Sequence, residues 1–577
     1  MMSSTPATSG RFRVRLAMLE LRPAVIALLL PVVAWGQAAG VPPIKVTTRL
    51  IQVSVLVHDH QGNPVSDLKK DDFEVTDNGK SQSISLFTAE TFNPANGPVV
   101  KAQPLIPRNV VTNRPDGQPG VPAVVSVLLL DLSNTELKDQ MYSRRHVIKF
   151  LQQIRPEDRI ALYVLNGTGL KVVHDFTNNS ETLSAALQKM SRAFSHELDS
   201  LNPDPANTGN DDLDKVLDHA NTTISNFYTR ERVINTCVAF KIIADHLAGV
   251  QGRKNLIWLS GGFPIQFGFG DPHDAGTGLS SQDRELFASD IEAASEAMNT
   301  ANVAVYPVDA RGLLVNSLFG DASKNVKIDR SNRDIPQQLW VDRTNNDSMN
   351  YIADLTGGKA FYNTNDIESA IRGAAEDSRV TYTLGYYLPD VRQDNKFHKI
   401  KVKVNRSGVT VRTKKGYFAR EQRAPNAAKL NEVLRQAIWS PLDSASIGVS
   451  ARIDPSTILP NASRLVFMVD PAEVLFAEAG GKKYLGSLDL LFVQHTKRGN
   501  RITGEKKTIN INIRAQRFEE LKKKGLMAGQ DVAVNSDTEE IRVVIMDRFT
   551  GSTGSVTVPV TASDKSPVTL IPVPPSR

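Results

Sequence analysis

Hydrophobic and polar positions follow two different patterns along the chain. Apolar residues fall at nearly every second position over residues 44–90, 391–420 and 445–577, which predicts β-strands with one buried face. Within 123–390, continuous apolar runs alternate instead with segments of helical period. That combination is typical of a parallel sheet covered by helices on both faces. We therefore predict an α/β unit between an N-terminal and a C-terminal β-sandwich-like unit, with 391–420 as a β extension and 421–444 as a helical connector.

The α/β unit shows the clearest succession of elements. It opens with the apolar run AVVSVLLL at 123–130, and an amphipathic helix is expected at 137–154. Further strands are expected at 159–165, 170–176, 255–260, 302–309 and 359–362. A polar insert at 195–215 interrupts the series. Residues 91–122, rich in proline, asparagine and glycine, are predicted to be a linker before the unit.

The first 38 residues have the features of a secretory signal peptide. Arg11, Arg13 and Arg15 form a basic segment, and the apolar run PAVIALLLPVVAW at 23–35 is followed by small residues. The apolar run has about 13 residues, whereas a membrane-spanning helix needs about 20. We therefore expect an extracytoplasmic protein, secreted, periplasmic or held at the cell surface, with no membrane span after removal of residues 1–38.

Charge and cysteine content exclude several classes of function. The formal net charge is +6, and residues 1–38 carry four arginines and one glutamate, so +3 of it leaves with the signal peptide. A net charge of about +3 on the remaining chain does not indicate nucleic-acid binding. The one cysteine, Cys237, excludes an internal disulfide and a zinc site of several cysteines, and its helical surroundings predict a buried core thiol.

A polar cluster follows the first strand of the α/β unit. Asp131, Ser133 and Thr135 occupy alternate positions of one loop. In open α/β sheets ligands bind beyond the carboxyl ends of the strands, and this loop is at such an end. One carboxylate and two hydroxyls can converge on a hard cation such as Mg²⁺ or Mn²⁺. A second interpretation is a helix cap, because Ser133, Asn134 and Thr135 are all favourable N-cap residues for the helix at 137.

The stretch VVSVLLLDLSNT resembles the first strand and the DxSxS element of a von Willebrand factor type A domain. In that family this loop is part of a metal-ion-dependent adhesion site, and here Thr135 replaces the final serine. VVHDFTNNSETL supplies Thr177 where the family has a further threonine. VAVYPVDARG, LTGGKAFYNTNDIESAI and YTLGYYLP are similar to bacterial, largely acidobacterial, von Willebrand factor A-related proteins, over about residues 45–420. The resemblance implies a doubly wound, mostly parallel, Rossmann-like sheet.

One position departs from the family pattern. The family has a second aspartate after its fourth strand, whereas WLSGGFP has Ser260 there. The resemblance thus implies a metal site of Asp131, Ser133, Thr135, Thr177 and Ser260 with one carboxylate in place of two. We expect such a site to bind Mg²⁺, Mn²⁺ or Ca²⁺ weakly, or with help from a carboxylate of the partner.

These features favour a secreted or envelope protein-binding or adhesion module, whose protein partner offers an acidic side chain. The alternative is a structural envelope protein with a metal-free A domain. An enzyme is not expected. Position 133 is not the second aspartate of haloacid dehalogenase-type phosphotransferases, and LSGGFP is not a G-x-S-x-G elbow. His273 has no second histidine at ligand spacing.

Overall fold

The structure is a computed structural model that describes residues 49–91, 110–114, 125–190, 208, 210–263, 281–313, 346–388, 396–419, 424–455, 463–480, 482–496, 501–561 and 564. The predicted signal peptide, most of the 195–215 insert and the loop with His273 lie outside these ranges. Within them, no helix combines the length and apolar character that crossing a membrane requires.

The N-terminal segment consists of strands and one short 3₁₀-helix, Lys70–Asp72. Its strands are β1 (Arg49–Asp59), β2 (Phe73–Asp77), β3 (Lys80–Gln82), β4 (Leu86–Thr91) and β5 (Val111–Thr112). The alternation in β1 buries Val53, Val55 and Val57. Asn78 and Gly79 join β2 to β3 and both have positive φ, at 47° and 81°, which is the conformation of a two-residue hairpin turn.

The α/β unit begins at residue 125. Its elements are β6 (Val125–Asp131), α1 (Leu137–Leu151), β7 (Arg159–Asn166), β8 (Gly169–Thr177), α2 (Ser180–Lys189), α3 (Asp211–Leu247), β9 (Lys254–Ser260), α4 (Ser281–Thr300), β10 (Val303–Asp309), α5 (346–356) and α6 (Ile367–Glu376). The five strands form a mixed sheet in the order β10-β9-β6-β7-β8. Helices α3 and α4 pack on one face, whereas α1, α2 and α6 pack on the other. Every residue of β6, β9 and β10 is buried as a result.

Strand β8 differs from the parallel arrangement predicted for this unit. The β10–β9, β9–β6 and β6–β7 pairs are parallel, but β7 and β8 are antiparallel. Only residues 167 and 168 separate these two strands, and so short a connection cannot join parallel neighbours. The predicted strand at 359–362 is reduced to a single parallel bridge between Val308 and Phe361.

A β-sandwich is assembled from segments that are far apart in the chain. Strands β11 (Val380–Leu388), β12 (Phe397–Val404), β13 (Val409–Thr413) and β14 (Gly416–Phe418) follow α6. One sheet has the order β13-β1-β11-β4 and the other β14-β12-β2-β3. Side chains from both parts, including Val53, Phe73, Tyr382 and Ile400, share one core. The boundary predicted at residue 390 is therefore displaced, because β11 pairs with β1 and β4 of the N-terminal segment.

The C-terminal part forms a second sandwich. It contains α7 (Ala427–Trp439), β15 (Val449–Pro455), β16 (Ser463–Val469), β17 (Ala477–Ala479), β18 (Lys483–His495), β19 (Arg501–Arg514), α8 (Ala515–Lys524), β20 (Leu526–Val532), β21 (Glu540–Asp547) and β22 (Thr553–Pro559). One sheet has the order β20-β16-β15-β5, and the other contains β17, β18, β21 and β22, with β19 paired to β18.

Part of the predicted linker belongs to this second sandwich. Strand β5 pairs with β15, and the Asn113 side chain donates hydrogen bonds of 2.7 and 2.8 Å to the carbonyls of Ser444 and Ile447. The backbone N–H of Val449 returns a bond of 2.8 Å to Asn113 Oδ1. These contacts fix residues 110–114 against the C-terminal part, so this piece of 91–122 is structured.

Candidate functional site

The loop after β6 places the candidate residues at the carboxyl end of the mixed sheet. Asp131 is the last residue of β6 and pairs with Leu165 near the end of β7. The side chains of Asp131, Ser133, Asn134 and Thr135 are all buried. The N-cap of α1 is Glu136, and it makes no side-chain capping bond. The cap interpretation of Ser133, Asn134 and Thr135 is therefore wrong.

Four neutral donor groups lie within hydrogen-bond distance of the Asp131 carboxylate. The backbone N–H of Asn134 lies 3.1 Å from Oδ1, and the Asn134 amide nitrogen lies 2.8 Å from Oδ2. Two donors from β9 also reach Oδ2, the indole nitrogen of Trp258 at 3.0 Å and the hydroxyl of Ser260 at 3.2 Å. Burial raises the pKa of Asp131, and the bonds from Asn134, Trp258 and Ser260 offset part of this shift.

Thr135 connects the β6 loop to the loop after β9. Its hydroxyl donates a bond of 2.6 Å to the carbonyl of Asp131 and accepts one of 2.9 Å from the backbone N–H of Gly261. A Cβ atom at Gly261 would lie 2.8 Å from the carbonyl oxygen of Asn134. The two loops therefore approach as closely as they do because residue 261 is glycine.

Ser260 lies at the position where the family resemblance implies an aspartate. Its hydroxyl is 3.2 Å from Asp131 Oδ2 and 2.8 Å from the carbonyl oxygen of Gly262, and its single proton serves one acceptor at a time. The next strand, β10, supplies a carboxylate at the same edge, since Asp309 pairs with Ser260 in register. That carboxylate is bound by the guanidinium of Arg311 at 2.9 and 3.0 Å.

Thr177 does not join the other candidate residues. It ends β8, whose antiparallel direction pairs it with Ile160 at the start of β7. Asp131 pairs with Leu165, which is five residues farther along β7, and at about 3.3 Å per residue the two ends are roughly 16 Å apart. The Thr177 hydroxyl instead accepts a bond of 3.1 Å from the backbone N–H of Asn179. The prediction of Thr177 as a metal ligand is therefore wrong.

The remaining residues meet only part of what a cation site needs. Asp131, Ser133, Thr135 and Ser260 come together, and the buried atoms Ser133 Oγ and Asn134 Oδ1 have no hydrogen-bond partner among the described residues. Those two oxygens are available as ligands. However, Oδ2 of Asp131 and the hydroxyl of Thr135 are already engaged by donors of the protein. The five predicted ligands as a set do not fit a cation in this arrangement.

Sequence reasoning missed two residues that shape this site. Trp258 lies between Phe240 and Phe263 in edge-to-face contacts, with ring centroids 5.3 and 5.5 Å away. Thr236 of α3 accepts a bond of 3.2 Å from the Asn134 side chain. Neither residue stands in a motif, and a tryptophan in an apolar strand predicts only core packing.

No family model matches the chain, and no curated protein matches it. Similar solved structures include proximal thread matrix protein 1 from the mussel byssus (9% identity, TM-score 0.22, 45% of this chain and 48% of that one). They also include the SpRpn10 VWA domain (9%, 0.20, 44% and 97%) and the pilus adhesin SpaC from Lactobacillus rhamnosus GG (9%, 0.25, 78% and 54%). The chain thus spans about half the length of the mussel protein and of the adhesin. Similarity at this level does not define a family for the chain.

Proposed function

We propose that this protein is an exported protein-binding module whose von Willebrand factor A-type sheet presents its loops without a bound cation. The observation that supports this proposal is the set of donors around the Asp131 carboxylate, which accepts three hydrogen bonds from Asn134 and Trp258 and shares the Ser260 hydroxyl with the Gly262 carbonyl. In this proposal Asp131 joins β6 to β9 and stabilises the edge of the sheet from which a partner would be bound.

The donors around Asp131 take the place that a cation would otherwise fill. A carboxyl group surrounded by donors, as Asp131 is by Asn134 and Trp258, has the pattern of an ionised carboxylate. A hydrogen bond to a charged group contributes about 1.5–3 kcal/mol, so the bonds from Asn134 and Trp258 compensate much of the free energy lost by burying the charge. A cation on Oδ2 would have to displace the Trp258 or Ser260 donor, because both bonds end on that atom.

A cation-dependent adhesion module is the second candidate, and Ser133 is the observation that favours it. Its buried hydroxyl has no hydrogen-bond partner among the described residues, and the amide oxygen of the next residue, Asn134, also has none among them. Mg²⁺, Mn²⁺ or Ca²⁺ held by Asp131 and Ser133 would then leave a coordination position for an acidic side chain of the partner.

We also propose that the protein acts by binding and not by catalysis. The Ser260 hydroxyl has Asp131 and a backbone carbonyl as its acceptors, which is not the environment of an activated nucleophile. Burial raises the pKa of Cys237 to about 12, so its thiol is not reactive at neutral pH.

Export is proposed on the basis of the signal-peptide features of residues 1–38. The partner is expected to be a protein and not a nucleic acid, since the mature chain has only a small net positive charge.

Thermal unfolding of the mature chain in millimolar Mg²⁺, millimolar Mn²⁺ or EDTA tests the metal-free proposal. We expect the same Tm in all three conditions, because donors of the protein already engage Oδ2 of Asp131 and the hydroxyl of Thr135. A rise in Tm with Mg²⁺ or Mn²⁺ that disappears in Ser133→Ala would instead support the cation-dependent module. Asp131→Asn is the matched control, because a cation bound elsewhere on the chain would still stabilise that variant.

Capture of partners from envelope extracts separates the two candidates at the level of binding. Immobilised mature protein should retain the same proteins with and without EDTA if no cation bridges the contact. A set of proteins lost in EDTA and lost equally in Asp131→Asn would contradict the metal-free proposal.

A further inference from the structure

A cavity of about 410 Å³ lies away from the Asp131 site, where the α/β unit meets the C-terminal sandwich. Its walls come from β8, the end of α3, the end of α7, and strands β18, β21 and β22. The volume is within the range of about 300–1,000 Å³ that is usual for small-molecule sites. Nothing in the Asp131 site depends on this cavity.

Acidic side chains reach the cavity from three separate segments. Asp175 is contributed by β8, Asp443 by the loop after α7, and Glu540 by the start of β21. The Asp443 side chain is 26% exposed and that of Glu540 is 43% exposed, so both carboxylates remain in contact with solvent. Carboxylates brought together from three segments give this cavity a negative potential.

Arg542 offsets only part of this negative charge. Its guanidinium is buried and donates to the carbonyls of Ala437 and Leu442 at 2.8 and 2.6 Å. It also lies 3.5 Å from Asp443. The lining contains three carboxylates and one guanidinium, so two carboxylate charges are left without a guanidinium counterpart in the cavity.

An exposed aromatic ring forms one edge of the cavity. Trp439, the last residue of α7, is 57% exposed. Its ring stacks on that of His495, with centroids 6.2 Å apart and an angle of 9° between the planes. An indole beside carboxylates is a favourable surface for an organic cation, which is attracted by both the ring and the negative charges.

Two helix ends also favour a cation in this cavity. Helix α7 ends at Trp439, and α3 ends at Leu247, one residue after His246 of the cavity lining. The ring nitrogen Nδ1 of His246 is 2.8 Å from the carbonyl oxygen of Asp443, which holds this end of α3 against the loop after α7. The carboxyl end of a helix carries a partial negative charge and favours cations.

We propose that this cavity binds a guanidinium or alkylammonium group, such as the basic side chain of a partner protein. The cation lies between the Trp439 ring and the carboxylates of Glu540 and Asp175, while Arg542 and Asp443 maintain the shape of the wall. This site is independent of the proposed role of Asp131, so either proposal can fail without the other.

A titration with argininamide tests the proposal, with citrullinamide as the neutral analogue of nearly the same shape. The full mature chain is labelled with 5-fluorotryptophan, and the ¹⁹F signal that disappears in Trp439→Phe belongs to residue 439. We expect argininamide to shift this signal in a saturable way at millimolar concentration, and citrullinamide to leave it unchanged. Equal shifts with both compounds, or no shift with argininamide, would overturn the proposal.

Charge-removing variants provide the second measurement. Glu540→Gln and Asp175→Asn should each weaken argininamide binding by about threefold or more, as expected for loss of one partly exposed ion pair. Glu478→Gln is the control, because this exposed carboxylate lies away from the cavity. Glu478 pairs with Tyr484 near the start of β18, whereas His495 of the cavity lining is the last residue of that strand. Binding by Glu540→Gln as tight as by the control would show that the carboxylates do not hold the cation. Circular dichroism verifies that every variant is folded.

Discussion

The indole nitrogen of Trp258 donates a hydrogen bond of 3.0 Å to Oδ2 of Asp131, which links β9 to the end of β6 inside the molecule. The ring carrying this donor is fully buried and packs against Phe240 and Phe263. The position of the carboxylate is thus set by core packing as well as by its own loop. A residue that the sequence presents as part of an apolar strand therefore belongs to the candidate site.

Replacing Trp258 by phenylalanine should lower the free energy of unfolding by about 1–3 kcal/mol, because the buried Asp131 carboxylate then loses a donor. Urea unfolding measures the change. Trp439→Phe, at an exposed position, is the matched control and should change stability little. In an Asp131→Asn background the cost of Trp258→Phe should become smaller, and an unchanged cost would mean that the bond does not stabilise the fold.

Gly261→Ala should destabilise the protein by about 1–3 kcal/mol, because the new Cβ would lie 2.8 Å from the Asn134 carbonyl oxygen. The measurement is the midpoint of urea unfolding. Gly480→Ala is the matched control, since no atom lies within 4 Å of a Cβ at that position. If the two variants were equally stable, the loops after β6 and β9 would not be in the close contact described.

Two threonines that the family resemblance treats alike should behave differently. Thr135→Val removes a hydroxyl bonded to both Asp131 and Gly261, so a loss of about 1–3 kcal/mol is expected. Thr177→Val removes one bond to the backbone of Asn179 at the other end of the sheet, and it should cost about 0.5 kcal/mol. Equal losses in thermal or urea unfolding would contradict the placement of Thr177.

Asp139, in the first turn of α1, should make stability depend on pH. Burial raises its pKa to about 6, above the ordinary value of about 4. The folded state therefore binds the proton more tightly than the unfolded state, so this residue's contribution to stability decreases as pH rises from about 4 to 6. Asp139→Asn should remove that decrease. The test is the difference in unfolding free energy between wild type and variant across this range, and a constant difference would refute the assignment.

Local periodicity was sufficient to predict much of the α/β unit. The apolar run before Asp131 becomes a strand buried on both faces, and the segments around it become helices on the two sides of the sheet. Cys237 lies in the core, as its helical neighbours indicated. These predictions succeeded because the period of apolar residues directly reflects which faces of an element are buried.

Strand direction and strand partners could not be predicted in this way. An apolar strand has the same pattern in a parallel and an antiparallel pair. The sequence pattern therefore predicted Thr177 beside Asp131, whereas Thr177 pairs with Ile160 at the other end of β7. The pattern of β11 likewise does not reveal that it pairs with β1, more than 300 residues earlier in the chain.

By itself, the sequence determined that Asp131, Ser133 and Thr135 follow a buried strand and that residue 260 is a serine. Only the tertiary structure decided that Trp258, Asn134 and Ser260 all donate to the same carboxylate, and that Thr177 is not beside it. The physical reason is that hydrogen bonds between strands depend on register and direction. Those are set by the packing of the whole sheet between its two layers of helices and not by the residues of the loop.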